Sequence, residues 1–248
     1  MYNFFVPENS RQDNTYIITD QNYNHIINVL RMKCGDNFLV SENSVSNLCE
    51  ISEINDRFIT ANIIEENYNN SELPVKIYLF QGLPKSDKFE LIIQKSVELG
   101  VYSIIPTRMS RCIVKLDDKK AKNKKERWQL ISESAAKQSK RNIIPEITDV
   151  MDYKAALDFA SAMDLILVPY ESHDGMHSTK KALSELKPGM SVAIFIGPEG
   201  GFEDDEIEAA TEKNARIISL GKRILRTETA AITSVGMCML YSETDLEK

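Results

Sequence analysis

The sequence predicts a small β-rich N-terminal domain followed by an α/β domain with a mostly parallel sheet. Two observations predict this division. Short β-like runs separated by turn residues fill the first 64 residues, a pattern typical of a small barrel. After Pro74, apolar runs alternate with amphipathic helical segments, as in α/β folds. The predicted domains are residues 1–70 and 74–248, with a polar linker predicted at residues 65–72.

The N-terminal domain is predicted to contain four strands and one helix. Asp20 is expected to cap a helix that ends at Arg31, because Ile26, Ile27 and Leu30 fall on one helical face. The predicted strands are residues 15–19, 38–41, 47–54 and 57–64.

The C-terminal domain is predicted to contain five strands and four helices. Asp87 and Glu90 have the spacing of a capping box, and Gly100 suits the end of the helix that they begin. The predicted strands are residues 75–81, 101–106, 164–170, 190–197 and 216–220. The predicted helices are residues 87–100, 126–140, 203–213 and 227–241.

Composition predicts a cytoplasmic globular protein. Hydrophobic residues make up 42% and charged residues 27% of the chain, which is ordinary for such proteins. No apolar run approaches the roughly 18 residues of a membrane span, and the N-terminus lacks the pattern of a signal peptide. The four cysteines are scattered without a CxxC pair, so no metal site is predicted.

Basic residues cluster in one stretch of an otherwise acidic chain. The net charge is −7, which argues against a protein that coats nucleic acid indiscriminately. A local basic face fits selective docking onto RNA, and a solvated lysine-rich surface is the alternative. The cluster comprises Lys115, Lys119, Lys120, Lys122, Lys124, Lys125, Arg127, Lys137, Lys140 and Arg141.

Three loops follow three apolar strands and predict a ligand site. They are residues 168–171, 197–201 and 221–226, and the last two contain four glycines. Ligands of open α/β sheets bind outside the carboxyl ends of the strands, and glycine permits close backbone approach. The glycine spacing matches neither a dinucleotide GxGxxG motif nor a phosphate-binding P-loop. Two tight turns without a ligand are the alternative.

The charge around these loops predicts the kind of ligand. Glu199 lies inside the glycine loop, and residues 203–206 are all acidic. Such negative charge repels a pyrophosphate but tolerates a cationic ligand without phosphate. S-adenosylmethionine, with its sulfonium, fits this description.

The same loops resemble those of a known family. The strings IGPEGGF (196–202) and LGKRILRTETA (220–230) are similar to the cofactor loops of the SPOUT methyltransferase superfamily. More narrowly, they resemble the 16S ribosomal RNA uracil-N3 methyltransferases. The resemblance includes residues 25–36, 85–101 and 126–147, and thus nearly the whole chain. Ser86 stands where the family usually has glycine, and Asn3 where it often has arginine.

This resemblance implies a fold and an assembly. Residues 1–70 would form a PUA-like, RNA-binding β-barrel, and residues 74–248 a SPOUT methyltransferase domain tied in a trefoil knot. The family also implies a homodimer in which the partner chain completes each active site. The apolar segment 232–240 could supply part of that interface, although a plain core helix is equally compatible with its pattern.

With this resemblance, the chemistry of N3 methylation leads to a hypothesis for the site residues, because the N3 proton must be removed and negative charge develops on the uracil oxygens. Arg226 is the hypothesised cation beside the uracil oxygens, and Glu228 or Glu199 the general base, with Glu228 preferred. The alternative for Glu228 is a structural role in the first turn of a helix, where carboxylates are favoured. The residues predicted to bind the cofactor are Leu167, Ile196, Gly197, Glu199, Gly200, Gly201, Leu220, Gly221, Ile224 and Leu225.

The substrate is predicted to be 16S ribosomal RNA in the small subunit. Arg108 and Arg111 are two of the residues predicted to contact this RNA, and the alternative for each is a structural ion pair. Two other functions stay open: a SPOUT enzyme that methylates the ribose 2′-hydroxyl of RNA, and a non-catalytic ribosome-assembly factor. The predicted RNA contacts are Arg11, Arg31, Lys85, Arg108, Arg111, Gln138 and Arg141.

Overall fold

A computed structural model describes residues 1–85, 87–170 and 175–246, without the side chains of Asn69 and Asp118. The chain divides into two compact units. The first contains residues 1–72 together with 136–144, and the second contains residues 73–135 and 145–248. The sequence does not predict that residues 136–144 return to the first unit.

Six described strands of the first unit form one curled sheet. Its order is β1-β4-β5-β6-β3-β2, with β1 parallel to β4 and the other pairs antiparallel. The sheet is a half-barrel, because β1 and β2 lie at opposite edges and do not pair with each other. The strands are β1 (Asn3–Phe5), β2 (Arg11–Gln12), β3 (Thr15–Ile18), β4 (Asn37–Glu42), β5 (Val45–Ile54) and β6 (Ile59–Asn69).

Two local predictions in this unit are wrong. The predicted linker at 65–72 belongs largely to β6, whose pairing with β5 extends to Ser46 and Asn69. The predicted helix is shorter and less regular than expected. It consists of α1 (Asp20–Asn24) and one π-helical turn (His25–Val29).

Buried polar contacts attach residues 136–144 to the first unit. Glu72 forms an ion pair with the Arg141 guanidinium, which is 2% exposed, and accepts the backbone N–H of Asn142 over 2.8 Å. Asn3 is also buried, and its amide donates to the Arg141 carbonyl over 2.9 Å. The asparagine that departs from the family pattern therefore has a structural partner. The predicted RNA contact by Arg141 is corrected here, because its buried, paired guanidinium is not presented to a phosphate.

The second unit is built on a parallel sheet, as predicted. All its pairings are parallel, and the order is β10-β8-β7-β12-β11-β13, with the short β9 also pairing with β8. The strands are β7 (Lys76–Gly82), β8 (Ser103–Arg108), β9 (Glu146–Ile147), β10 (Met151–Asp152), β11 (Leu165–Pro169), β12 (Ser191–Ile196) and β13 (Arg216–Ile218).

Helices cover this sheet, and its core is apolar. The rings of Phe80 on β7 and Phe195 on β12 stack with their centroids 4.3 Å apart, and both side chains are fully buried. The helices are α2 (Lys88–Glu98), α3 (Asp118–Ser139), α4 (Tyr153–Ala160), α5 (Met176–Leu183), α6 (Asp204–Glu212) and α7 (Thr227–Tyr241). None of the helices in the described ranges is both long and apolar enough to cross a membrane.

Three details of these helices differ from the sequence predictions. Helix α3 begins at Asp118, eight residues earlier than predicted, and α4 and α5 are not predicted at all. The predicted capping box is absent, because no side-chain hydrogen bond caps α2. Glu90 instead accepts a hydrogen bond from Arg127 over 2.8 Å.

The connections define where a crevice forms. From β7 the chain passes through α2 to β8, which lies towards one edge of the sheet. From β12 it passes through α6 to β13, which lies at the other edge. Because these neighbouring strands lead in opposite directions, a crevice opens outside their carboxyl ends, which is where open α/β sheets bind ligands.

Candidate functional site

Two glycines bring the ends of β7 and β12 into close contact. A Cβ atom on Gly82 would lie 2.6 Å from the nitrogen of Pro198, closer than real Cβ contacts allow. A Cβ atom on Gly197 would lie 3.1 Å from the backbone of Gly201. Gly201 itself has a φ of +72°, which glycine adopts without strain. The predicted glycine loop at 197–201 is therefore a narrow backbone turn at the switch between strands.

A buried hydrogen-bond chain joins this loop to the C-terminal segment. The Thr227 hydroxyl donates to the carbonyl of Gly197 over 2.6 Å. The Gln81 amide donates to the Thr227 hydroxyl over 3.0 Å and to the carbonyl of Gly82 over 2.8 Å. Within the described residues, Oε1 of Gln81 is buried and has no hydrogen-bond partner. The loops 196–202 and 220–230 are thus held together, although sequence analysis does not single out Gln81 or Thr227.

Lys88, in the first turn of α2, contacts both candidate bases. Its Nζ lies 3.1 Å from Oε1 of Glu199 and 3.6 Å from Oε2 of Glu228. Oε1 of Glu199 also accepts the backbone N–H of Lys85 over 3.0 Å. In the part of the chain that the structure describes, Oε2 of Glu228 is buried and accepts no hydrogen bond. Glu199 is therefore held by hydrogen bonds, whereas Oε2 of Glu228 has only the longer contact with Lys88 among the interactions of the described residues.

The surroundings of Glu199 favour its charged form. Burial raises the pKa of Glu199, but hydrogen bonds from the backbone N–H of Lys85, from its own backbone N–H and from Lys88 together lower the pKa below its ordinary value. A carboxylate with a lowered pKa is a weaker proton acceptor at neutral pH. The hydrogen bonds that hold Glu199 therefore count against its predicted role as the base.

Arg111 supports the glycine loop from the side of β8. Its guanidinium donates to the carbonyl of Gly200 over 2.9 Å and to Glu203 over 2.7 Å. The hydrogen bond from Arg111 lowers the pKa of Glu203. Glu206 is buried and accepts the backbone N–H groups of Ser110 and Glu203, each over 2.9 Å. Part of the acidic cluster read from the sequence thus fixes the start of α6.

The predicted cofactor residues occupy different depths around the crevice. Leu167 and Ile196 are 1% and 3% exposed, so only their backbone atoms could contact a ligand. Leu220, Gly221 and Leu225 are half-buried, and Ile224 is fully exposed. Arg226 is exposed immediately before α7. The loop at 168–171 is described only to Tyr170, and Glu171 lies outside the described residues.

The predicted RNA contacts are not equally accessible. Arg31, Lys85 and Gln138 are exposed. Arg11 pairs with Glu66, and Arg108 pairs with Asp152 over 3.2 Å. Among the described residues, no group of three or more His, Cys, Asp or Glu side chains could hold a metal.

The fold and the crevice define an RNA methyltransferase. Residues 71–239 match the model of an RNA methyltransferase domain, and residues 18–64 match that of an RNA methyltransferase PUA domain. The chain belongs to the ribosomal RNA small subunit methyltransferase E family of SPOUT methyltransferases. The predicted family and fold class are thereby confirmed.

Relatives and solved structures match over most of their length. The Bacillus subtilis ribosomal RNA small subunit methyltransferase E is 41% identical over 233 residues, covering 92% of this chain and 91% of that protein. The Neisseria gonorrhoeae enzyme bound to S-adenosyl methionine is 32% identical with a TM-score of 0.79, covering 96% of each chain. A Legionella pneumophila methyltransferase in complex with the same cofactor is 30% identical with a TM-score of 0.81, covering 96% of this chain and 97% of that one.

Proposed function

We propose that this protein methylates N3 of a uridine in 16S ribosomal RNA, with S-adenosylmethionine as donor. The methyl donor and the RNA are those of the family. The proposal adds the atom that receives the methyl group, N3 of a uridine. The observation that carries it is the pair Glu199 and Glu228 around Lys88, beside a glycine-lined crevice. Uracil N3 carries a proton at neutral pH, so its methylation requires a base at the site.

The residues around the crevice fit the donor. Gly82 and Gly197 let the loop after β12 pack closely on the end of β7, and Gly201 has open space where a Cβ would lie. Glu199 and Glu228 supply negative charge that favours a cationic ligand and opposes a pyrophosphate. When bound, S-adenosylmethionine supplies an electrophilic methyl group on its sulfonium. We assign adenine contacts to Leu220, Ile224 and Leu225, and backbone contacts to Leu167, Ile196, Gly200 and Gly221.

Glu228 is proposed to remove the N3 proton. Its Oε2 is buried and has no hydrogen-bond partner within 3.5 Å among the described residues, so it can accept a proton once a substrate reaches it. Lys88 holds the carboxylate in place from 3.6 Å. Arg226 directly precedes α7 and is exposed, so its guanidinium can approach the uracil oxygens, where negative charge develops.

Substrate contacts, assembly and location complete the proposal. Arg31, Lys85, Arg108 and Gln138 are proposed to contact RNA, with Arg11 contributing where its pair with Glu66 opens. Arg111 is left out of this set, because its guanidinium binds Gly200 and Glu203 as in the alternative of a structural ion pair. Helix α7 is proposed to form part of a homodimer interface, and the cytoplasm is the proposed location.

The decisive experiment maps the modified atom. Protein, labelled methyl donor and unmodified small ribosomal subunits are incubated, and the RNA is then analysed by reverse transcription. An N3 methyl blocks base pairing, so a strong stop at one uridine is expected. A label on a ribose would contradict the N3 assignment. Absence of transfer, with no donor binding by calorimetry, would instead favour a non-catalytic assembly factor.

The base is tested by substitution. Glu228→Gln should lower kcat by about 100-fold or more while donor affinity is unchanged, because general-base catalysis contributes about 100- to 10,000-fold. Glu199→Gln is the matched variant and should retain more of the rate. Near-wild-type turnover of Glu228→Gln would refute the role of this carboxylate.

A further inference from the structure

A second cavity lies outside the glycine crevice, between the first half of α3 and the end of β8. Its volume is about 750 Å³, within the range of sites that bind small molecules. One wall is a face of α3 that includes Lys122, Lys125 and Leu130. The opposite wall includes Arg108 and Val150, and two carboxylates, Glu126 and Asp149, also line the cavity. Asp149 pairs with Lys125 over 3.0 Å, which leaves Lys122 and Arg108 as the cations for a ligand. We call this cavity the α3 cleft.

The helical wall of the α3 cleft is held firmly in place. Trp128 is 3% exposed, and its ring packs on Phe89 with centroids 4.3 Å apart. The Gln129 amide donates to the carbonyl of Pro145 over 3.2 Å and accepts the backbone N–H of Ile147 over 2.9 Å. The cleft is therefore a built feature of the second unit, with its side chains presented from a fixed helix.

The chemistry of the lining suits a nucleotide. Leu130 is 66% exposed, and with Val150 it offers an apolar surface against which a base can pack. Lys122 is exposed and forms no ion pair with a described side chain, so its charge is available to a phosphate. Arg108 pairs with Asp152 through a single contact of 3.2 Å, and the Asp152 side chain is 73% exposed, so a phosphate can compete for the guanidinium. Apolar surface beside such cations is how proteins bind unpaired bases of RNA.

The α3 cleft adjoins the methyl-transfer site along the chain. Arg108 lines the cleft, and three residues later Arg111 donates to the carbonyl of Gly200 in the glycine loop. Arg108 is the last residue of β8, and Arg111 follows it in the loop at the carboxyl edge of the sheet. We propose that the α3 cleft binds an unpaired nucleotide that flanks the target uridine in the same RNA strand. This inference rests on the proposed function and adds a specificity site to it.

The test uses two variants of the cleft in the full-length protein. Leu130→Ala removes the apolar surface, and Lys122→Ala removes the unpaired cation. Each should raise KM for unmodified small ribosomal subunits by about five-fold or more, since stacking and phosphate contacts are each of that size. For both variants, kcat at saturating substrate and the donor affinity measured by calorimetry should stay within about two-fold of the values for the unaltered protein. Lys187→Ala is the matched control, because Lys187 is also exposed and lies just before β12, at the amino end of that strand.

A second measurement identifies the bound nucleotide directly. Small-subunit RNA that carries photoreactive uridines on either side of the target should cross-link to the peptide that contains Leu130, and the Leu130→Ala variant should cross-link less. The proposal is overturned if methylation is normal and neither variant changes KM. It is also overturned if the variants affect assembled subunits but not deproteinised RNA, since the cleft would then contact a ribosomal protein. If the unaltered protein does not methylate the RNA, the proposed function is refuted instead.

Discussion

At the scale of single residues, Lys88 decides how the two candidate bases differ. It donates to Glu199 over 3.1 Å, whereas Oε2 of Glu228 lies 3.6 Å away and stays free of hydrogen bonds within the described residues. The sequence places Lys88 within a family-like segment but does not indicate its partners. These partners become visible only in the structure, where α2 approaches both the loop that follows β12 and the loop that precedes α7.

Substitution at Thr227 should show the value of the buried hydrogen-bond chain. Thr227→Val leaves Gln81 and the Gly197 carbonyl without their shared partner, which should lower the free energy of unfolding by about 1–3 kcal/mol. Donor affinity should fall about ten-fold, because the glycine loop is no longer tied to α7. Urea unfolding and calorimetry measure the two effects. Thr227→Ser keeps the hydroxyl and should behave like the unaltered protein; equal loss in both variants would contradict the role of the hydrogen bond.

The ion pair between Arg111 and Glu203 predicts a dependence on pH. The hydrogen bond from Arg111 lowers the pKa of Glu203 in the folded protein below its ordinary value of about 4.3. The pair therefore stabilises the fold above that value, and this contribution is lost as the pH falls through the lowered pKa. Glu203→Gln should lower the free energy of unfolding at neutral pH, and the difference should shrink towards about pH 3. Glu208→Gln, on the exposed side of the same helix, is the control; a difference that does not change with pH would contradict the prediction.

At the scale of elements, the contact between β7 and the loop after β12 depends on a missing side chain. Gly82→Ala would place its Cβ 2.6 Å from Pro198, so one backbone segment must move. We expect a loss of about 1–3 kcal/mol in the free energy of unfolding, together with weaker donor binding. Gly236→Ala is a control for stability, since its Cβ would meet only Leu99 at an ordinary 3.7 Å. Equal stability of the two variants would show that the close approach is not required.

Predictions of elements succeeded where the apolar pattern is strong. The strands 75–81 and 190–197 and the helix 227–241 agree closely with β7, β12 and α7, because continuous apolar runs identify buried elements. The predicted helix 126–140 is shorter than α3, because the first turns of α3 are polar and lack an apolar face. The short β9 and β10 gave no signal, since two-residue strands form only where a neighbouring strand is available.

At the scale of the whole molecule, α7 bears on assembly. Several of its residues face α2 and the sheet, yet Leu240 is 59% exposed. An apolar helix that is not fully covered by its own chain fits an interface with a second copy. Leu240→Asp should convert the proposed dimer to a monomer in sedimentation experiments and reduce methyl transfer. Ile113→Asp, exposed to 63% outside α7, is the control. A dimer that survives Leu240→Asp would place the interface elsewhere.

The sequence by itself determined the α/β class, the ligand loops and the family, because these depend on local pattern and on motifs in order. It also pointed to S-adenosylmethionine through charge and glycine spacing. The tertiary structure alone decided which side chains meet. Gln81 and Thr227 are 146 positions apart, and Lys88 and Glu199 are 111 apart. Likewise, Arg141 is buried against Glu72, although its place in a basic stretch suggested an RNA contact. Such pairings depend on strand order and on the return of distant segments, and local sequence pattern carries no information about either.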